Sequence, residues 1–250
     1  MIHLATPGTD RQDDRRETIE VRDIIGAMRF SETRLLGPAA VVAFVVLPAA
    51  GASRTILEND KVRVLEAVDQ PHSPSAPHKH DYNRVMIYLQ PGTERITPEG
   101  GAPVMLQWRA GEVKWSPASG THVSEVTSGA PVTMIEVELK NAAGPAKSVT
   151  TALDPVKVDP SDYRVEFENQ QVRVVRVRMA AKHAVPLHEH QLDRVVVYLT
   201  DQDTKITTPD GKSETVQHKA GEASWGGATE HREENVNSSP FEAVVVELKY

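Results

Sequence analysis

The stretch from Pro77 to Gly92 reads PHKHDYNRVMIYLQPG. At its centre stands His78-Lys79-His80. On an extended strand, residues two apart share a face. His78 and His80 therefore present two imidazoles side by side, and Lys79 turns away. The run Val85, Met86, Ile87, Tyr88, Leu89 behind them is rich in strand-favouring types. Two neutral imidazoles on one wall suit a divalent transition metal. A lone His-x-His is more often a surface pair beside a turn. Here the pattern returns: Pro186 to Leu199 reads PLHEHQLDRVVVYL, with His188 and His190 at an offset of 110 residues. Arg194 answers Arg84 and Tyr198-Leu199 answer Tyr88-Leu89 at that same offset. Repetition in register with a flanking strand marks a tandem unit rather than chance.

The repeat extends outward. Leu57 to Val64 (LENDKVRV) matches Phe167 to Val174 (FENQQVRV), each ending in the apolar–polar alternation of a half-buried strand. Turn-rich stretches follow, TPEGG at 97–101 and TPDGK at 208–212, the second with a strong Asp-Gly hairpin signal. Then come Ala110 to Trp115 and Ala220 to Trp225, a further histidine in each unit (His122, His231), and closing strands over Met134–Lys140 and Ala243–Lys249. Many short strands punctuated by turns predict an all-β barrel or sandwich in each half. The expected organisation is a first unit over 53–140, a Pro- and Gly-containing linker over 141–162, and a second unit over 163–250.

Residues 1–52 look different. Thr9 to Asp23 is highly charged and reads as a polar tail. Met28-Arg29-Phe30 and Arg34 precede an apolar run from Leu35 to Ala50 that contains Gly37, Pro38 and Pro48 and ends in Ala50-Gly51-Ala52. That run falls short of the ~20 residues of a membrane span. A basic start, a short apolar core and a small-residue exit describe a secretory signal peptide. The expectation is translation from Met28, a mature chain from near Ser53, and a periplasmic or secreted location. The net charge of −7 gives no reason to expect nucleic acid as a partner. The chain has no Cys, which excludes disulfides, thiolate metal sites and a Cys nucleophile. A small molecule is the expected partner, with the protein a monomer or homodimer.

Two ligands from one strand hold a metal weakly, and a third from a distant strand leaves open positions for substrate. His122 and His231 each follow a Gly-x-x-x-Trp strand and a turn, and are placed to supply it. The predicted metal ligands are His78, His80 and His122 in one unit and His188, His190 and His231 in the other. Three imidazoles suit Fe, Zn, Mn, Ni or Cu. His72 and His183 read as rim residues, Trp115 and Trp225 as core aromatics, and Glu230, Glu233 and Glu234 as a solvated charged loop. His218 has no counterpart and is given no role.

These residues make the chain resemble the cupin superfamily, and in particular its two-domain members, the bicupins. The family's first motif has the form G-x5-H-x-H-x3,4-E-x6-G and its second G-x5-P-x-G-x2-H-x3-N. His78 and His80, with Gly92 near the closing glycine, follow the first; Gly111, Pro117 and His122 follow the second, its inner glycine shifted to Gly120. His188, His190, Gly221 and His231 follow in the second unit, where the loop before His231 is one residue shorter and lacks the proline. The resemblance covers about residues 55–250. It implies two tandem jelly-roll barrels packed through apolar sheet faces, with the histidines ligating metal inside each.

One departure stands out. Arg84 and Arg194, or Val85 and Val195 with the longer spacing, occupy the place of the motif's glutamate. An inward Arg beside a dication is repelled unless an anion lies between them. Either Arg faces outward and Val inward, leaving a three-His site, or Arg faces inward and binds a substrate carboxylate in bidentate fashion. The loss also speaks against an oxalate-decarboxylase type of site, which uses that carboxylate. The resemblance implies metal chemistry on a small organic molecule, with an Fe(II)-type dioxygenase as the most specific version. The alternatives are a metal-assisted lyase or isomerase and a non-catalytic metal- or ligand-binding protein.

Overall fold

A computed structural model of the chain describes residues 51–250; the signal-like segment up to Ala50 and the start-site reading lie outside the described residues. The first barrel comprises β1 (Ala52–Glu58), β2 (Val62–Asp69), β3 (His78–His80), β4 (Arg84–Tyr88), β5 (Gly92–Pro98), β6 (Val104–Trp108), β7 (Val113–Ser116), β8 (Ser119–Val126) and β9 (Val132–Leu139). A one-turn helix, α1 (Pro155–Val158), precedes the second barrel. That barrel comprises β10 (Tyr163–Glu168), β11 (Val172–Met179), β12 (Ala184–His190), β13 (Arg194–Tyr198), β14 (Gln202–Thr207), β15 (Ser213–His218), β16 (Ala223–Gly226), β17 (Thr229–Asn235) and β18 (Phe241–Leu248).

Each barrel is two antiparallel sheets, ordered β1-β2-β9-β4-β7 and β3-β8-β5-β6 in the first. The second repeats that order strand for strand: β10-β11-β18-β13-β16 and β12-β17-β14-β15. Even the irregularities repeat. The β1–β2 ladder slips between Thr55 and Leu57, and the β10–β11 ladder between Val165 and Phe167. The Asp210-Gly211 turn closes as its sequence predicts: Gly211 takes a φ of 86° and donates to the Thr208 carbonyl at 2.9 Å.

The five-stranded sheets are buried on both faces. Their outer faces meet in one core shared by both barrels. Val62, Val64, Val85, Ile87, Ile135 and Val137 contribute from one side and Val172, Val174, Val195, Val197, Val244 and Val246 from the other. All twelve are fully buried. The residues between them in sequence, Met86 and Tyr88 on β4 and Val175 and Val177 on β11, fill the separate interior of their own barrel. Polar contacts frame the shared core: Asn83 Nδ2 donates to Gln171 Oε1 at 2.8 Å, Arg176 Nη2 to the Gly111 carbonyl at 2.6 Å, and Lys61 pairs with Asp193.

The stretch before the second barrel is tied to it. Arg173 holds Asp154 through Nη2 at 3.0 and 2.9 Å, and Glu189 N donates to the Leu153 carbonyl at 2.8 Å. Asp154 also caps α1, accepting from Val156 N at 3.3 Å.

Candidate metal centre

Strand pairing brings the distant histidines together. On the β3–β8 ladder His78 lies directly opposite His122, and on β12–β17 His188 lies opposite His231. Cross-strand partners stand about 5 Å apart, so the pairing alone delivers the third imidazole to the His-x-His edge. In the first barrel the ring centroids are 4.4 Å apart for His78–His122, 5.0 Å for His78–His80 and 5.2 Å for His80–His122. The corresponding separations in the second are 4.5, 5.3 and 5.6 Å. In each triad one nitrogen per ring lies within 4.8 Å of the others.

The rings are held in the tautomer that ligation needs. His78 Nδ1 sits 2.9 Å from the Ala76 carbonyl, His122 Nδ1 3.0 Å from that of Gly120, and His188 Nδ1 2.9 Å from that of Pro186. A carbonyl only accepts, so each Nδ1 carries the proton and each Nε2 keeps a free lone pair. His190 Nδ1 makes the same kind of contact to Glu247 Oε1, at 3.3 Å. His188 is fully buried, yet its Nε2 has no hydrogen-bond partner. A buried acceptor turned toward two other imidazoles with nothing to bind fits a metal ion.

Burial favours the neutral form of five of these rings. Burial, followed by the Arg84 charge, pushes His80 down to about 3. Burial pushes His231 down to about 2, with the neighbouring imidazoles adding to it. His122, His188 and His190 shift the same way, again mainly through burial.

The arginines face inward. Arg84 is 7% exposed and Arg194 8%, and each lines the cavity of its own barrel. The outward alternative for Arg is thus overturned: Val85 and Val195 belong to the core shared by the barrels. The repulsion expected of an inward Arg is answered from another strand. Arg84 lies opposite Glu138 on β9, with Glu136 two residues before it, and Arg84 Nε is 3.2 Å from Glu136 Oε2. His80, Glu136 and Glu138 themselves form a cluster of close ligand atoms. In the second barrel Arg194 lies opposite Glu247, which also takes Arg173 Nη1 at 2.9 Å. Carboxylates therefore stand beside both sites although the motif position lacks one. The sequence reading missed all three glutamates. Their signal was the alternation of Glu136 and Glu138 with Ile135, Val137 and Leu139 in a strand whose apolar face is already spoken for.

The two barrels then diverge. Arg194 Nη1 donates to the Gly227 carbonyl at 2.5 Å, and its guanidinium lies on Gly226, where a Cβ would come within 3.0 Å of Cζ. Arg84 Nη1 is buried without a partner. Beside it runs a cavity of about 580 Å³ lined by Arg84, Met86, Tyr88, Glu94, Leu106 and His122. Glu94, 6% exposed, also faces a second hollow with His78 and His80. Burial, reinforced by Asp69, raises its carboxyl to about 7. The second barrel's cavity is about 400 Å³ and has Thr204 in place of Glu94. Its triad is also the more deeply buried, since His78 and His80 are only half-buried.

Three other residues depart from the sequence reading. Glu233 belongs to no solvated loop: its carboxylate accepts from the buried Tyr163 hydroxyl at 2.6 Å inside the second cavity. His218 does have a counterpart, because its ring stacks on Tyr198 at 3.8 Å where Trp108 stacks on Tyr88 at 4.3 Å in the first barrel. Trp115 packs on the shared core, whereas Trp225 is 36% exposed at the second cavity.

The fold is the one seen in bicupins: two tandem jelly-roll barrels, each here with a cluster of three histidines. Solved structures with this fold include AerE from Microcystis aeruginosa, at a TM-score of 0.55 and 12% identity over 79% of this chain and 97% of that one. An oxalate decarboxylase from Bacillus subtilis superposes with a TM-score of 0.57 at 13% identity, over 80% of this chain and 74% of that one. A formate complex of Lactobacillus farciminis oxalate decarboxylase gives 0.56 at 10% identity, over 81% and 82% of the two chains. No protein-family model matches the sequence, and no curated protein does. The likeness is one of fold. No helix among the described residues is long and apolar enough to cross a membrane.

Proposed function

We propose that both triads hold a divalent transition metal and that the first barrel is an enzyme site for a small organic anion. The observation that carries this reading is Arg84. A buried guanidinium with an unpartnered Nη1 stands beside three convergent imidazoles and a roomy cavity. Such a group binds a carboxylate or enolate strongly because no water competes for it. His78, His80 and His122 would hold the metal, with Fe(II) favoured over Zn, Mn, Ni or Cu. Fe(II) on three imidazoles supplies open positions for oxygen and substrate.

The chain's own groups do the rest. Arg84 orients the anion. Met86, Tyr88 and Leu106 exclude water from it. Glu94, whose carboxyl titrates near 7, is fitted to take or give a proton at neutral pH. The most specific reaction is a dioxygenase cleavage of a ring or a carbon–carbon bond. A second reading is a metal-assisted lyase, the kind of activity that the name oxalate decarboxylase describes in the Bacillus subtilis protein. It is favoured by Glu136 and Glu138, which bring carboxylates beside His80 although the motif position holds an arginine. In either case the second barrel, with Arg194 already bonded to Gly227, serves as a structural or ligand-holding partner.

Metal analysis and turnover of untagged protein test this. Iron with oxygen uptake on diketones, phenols or keto acids supports the dioxygenase; carbon dioxide release without oxygen uptake supports the lyase. Tight metal with no turnover on any of them leaves a binding protein. Arg84→Gln should raise KM for an anionic substrate roughly 100-fold, the scale of a lost charge-assisted contact, and leave metal content unchanged.

A further inference from the structure

Apart from the two triads, Asp159, Asp162 and His183 form a separate cluster that brings two carboxylate oxygens and an imidazole nitrogen within 4.8 Å of one another. They come from different places. Asp159 ends α1, Asp162 immediately precedes β10, and His183 sits in the turn between β11 and β12. The backbone fixes each. Asp159 N donates to the Pro155 carbonyl at 2.8 Å, Arg178 N to that of Asp162 at 2.8 Å, and Asn235 N to that of His183 at 2.9 Å.

His183 Nε2 is 2.9 Å from Asp159 Oδ2 and 3.4 Å from Asp162 Oδ2. One ring nitrogen carries one proton, and the shorter contact takes it. Asp162, with its side chain 9% exposed, is left with a buried Oδ2 that has no hydrogen-bond partner and faces the other two groups. A lone imidazole proton leaves this set under-satisfied; a cation satisfies all three lone pairs at once. The spacing agrees, because ligand atoms about 2.0–2.1 Å from a tetrahedral zinc stand about 3.3 Å apart. His183, 39% exposed, leaves one side open for solvent to complete the shell.

We propose that Asp159, Asp162 and His183 form a third divalent-cation site, of zinc type, that staples the segment before β10 to the β11–β12 turn. The site belongs to the second barrel. At the 110-residue offset Asp162 and His183 correspond to Ala52 and Ser73, neither of which can serve. The staple is independent of the reaction proposed for the first barrel.

Full-length protein stripped with a chelator and titrated with zinc chloride tests it, with bound zinc read by atomic emission after gel filtration. Wild type should retain one zinc more than Asp162→Asn, which preserves shape while removing the charge and one ligand oxygen, and one more than His183→Ala. His122→Ala and His231→Ala should each lose a zinc and still keep the one that Asp162→Asn abolishes. Zinc should also slow proteolysis within 153–162 in wild type and not in Asp162→Asn. Equal zinc content in wild type, Asp162→Asn and His183→Ala would overturn the proposal and reduce the cluster to an Asp–His ion pair.

Discussion

At the scale of single residues, the sites rest on which atom of each side chain is free. Carbonyls claim Nδ1 of His78, His122 and His188, so Nε2 is the ligand atom in each. His122→Ala should cost the first barrel its ion while the second retains its own, with metal content as the measurement; unchanged content would refute the three-His reading there. The neutral rings bear on pH as well. His80 and His231 are held down to about 3 and 2, so protons should not compete with metal for these two rings near pH 5. In the second barrel, where burial lowers all three imidazoles, metal titrations should therefore show nearly constant affinity from pH 7 to 5, where exposed histidines with a pKa of about 6.5 lose theirs. Glu94 runs the opposite way. Its folded carboxyl titrates near 7 against an ordinary 4.5, so the unfolded chain releases this proton first as pH rises. Glu94 alone then takes on the order of 3 kcal/mol from the stability of the metal-free protein between those values. Glu94→Gln should remove that contribution, and denaturant melts of both proteins at pH 5 and pH 8 will check it.

At the scale of the strand, placement depends on what each face of an element touches. Gly92 opens β5 against the Tyr88–Trp108 stack. A Cβ there would come within 2.7 Å of Trp108 Cζ2 and 2.8 Å of Val132 Cγ1. Gly92→Ala should cost about 1–3 kcal/mol through overpacking, visible as a lower denaturation midpoint. Such strand logic also explains what could be read in advance. The histidines were legible because a period of two puts His78 and His80 on one face, and the 110-residue repeat removed the chance reading. The direction of Arg84 was not legible. Val85 and Ile87 face the shared core while Met86 and Tyr88 face the barrel interior. A strand buried on both sides carries no apolar–polar alternation to reveal its polarity. Glu136 and Glu138 do alternate with apolar neighbours, but alternation alone does not tell a barrel interior from solvent as the place of the polar face. The Asp159–His183 contact joins a linker to a turn, and no periodicity links those.

At the scale of the molecule, the two barrels share their largest apolar cluster. Valines and isoleucines of β2, β4 and β9 interleave with those of β11, β13 and β18, all fully buried. Separated barrels would each expose that face as a continuous apolar patch, the kind of surface that marks an interface. The barrels should therefore unfold together. Trp108 and Trp115 report on the first barrel and Trp225 on the second, so single-Trp variants can follow each half in denaturant. Coincident midpoints are expected, and midpoints well apart would show that each barrel stands alone. Ile135 sits in the middle of that core, on β9, fully buried. Ile135→Ala should cost about 2–5 kcal/mol. Because the cavity it leaves lies between the barrels, the Trp225 signal should shift as far as the Trp108 signal, even though every residue changed belongs to the first half.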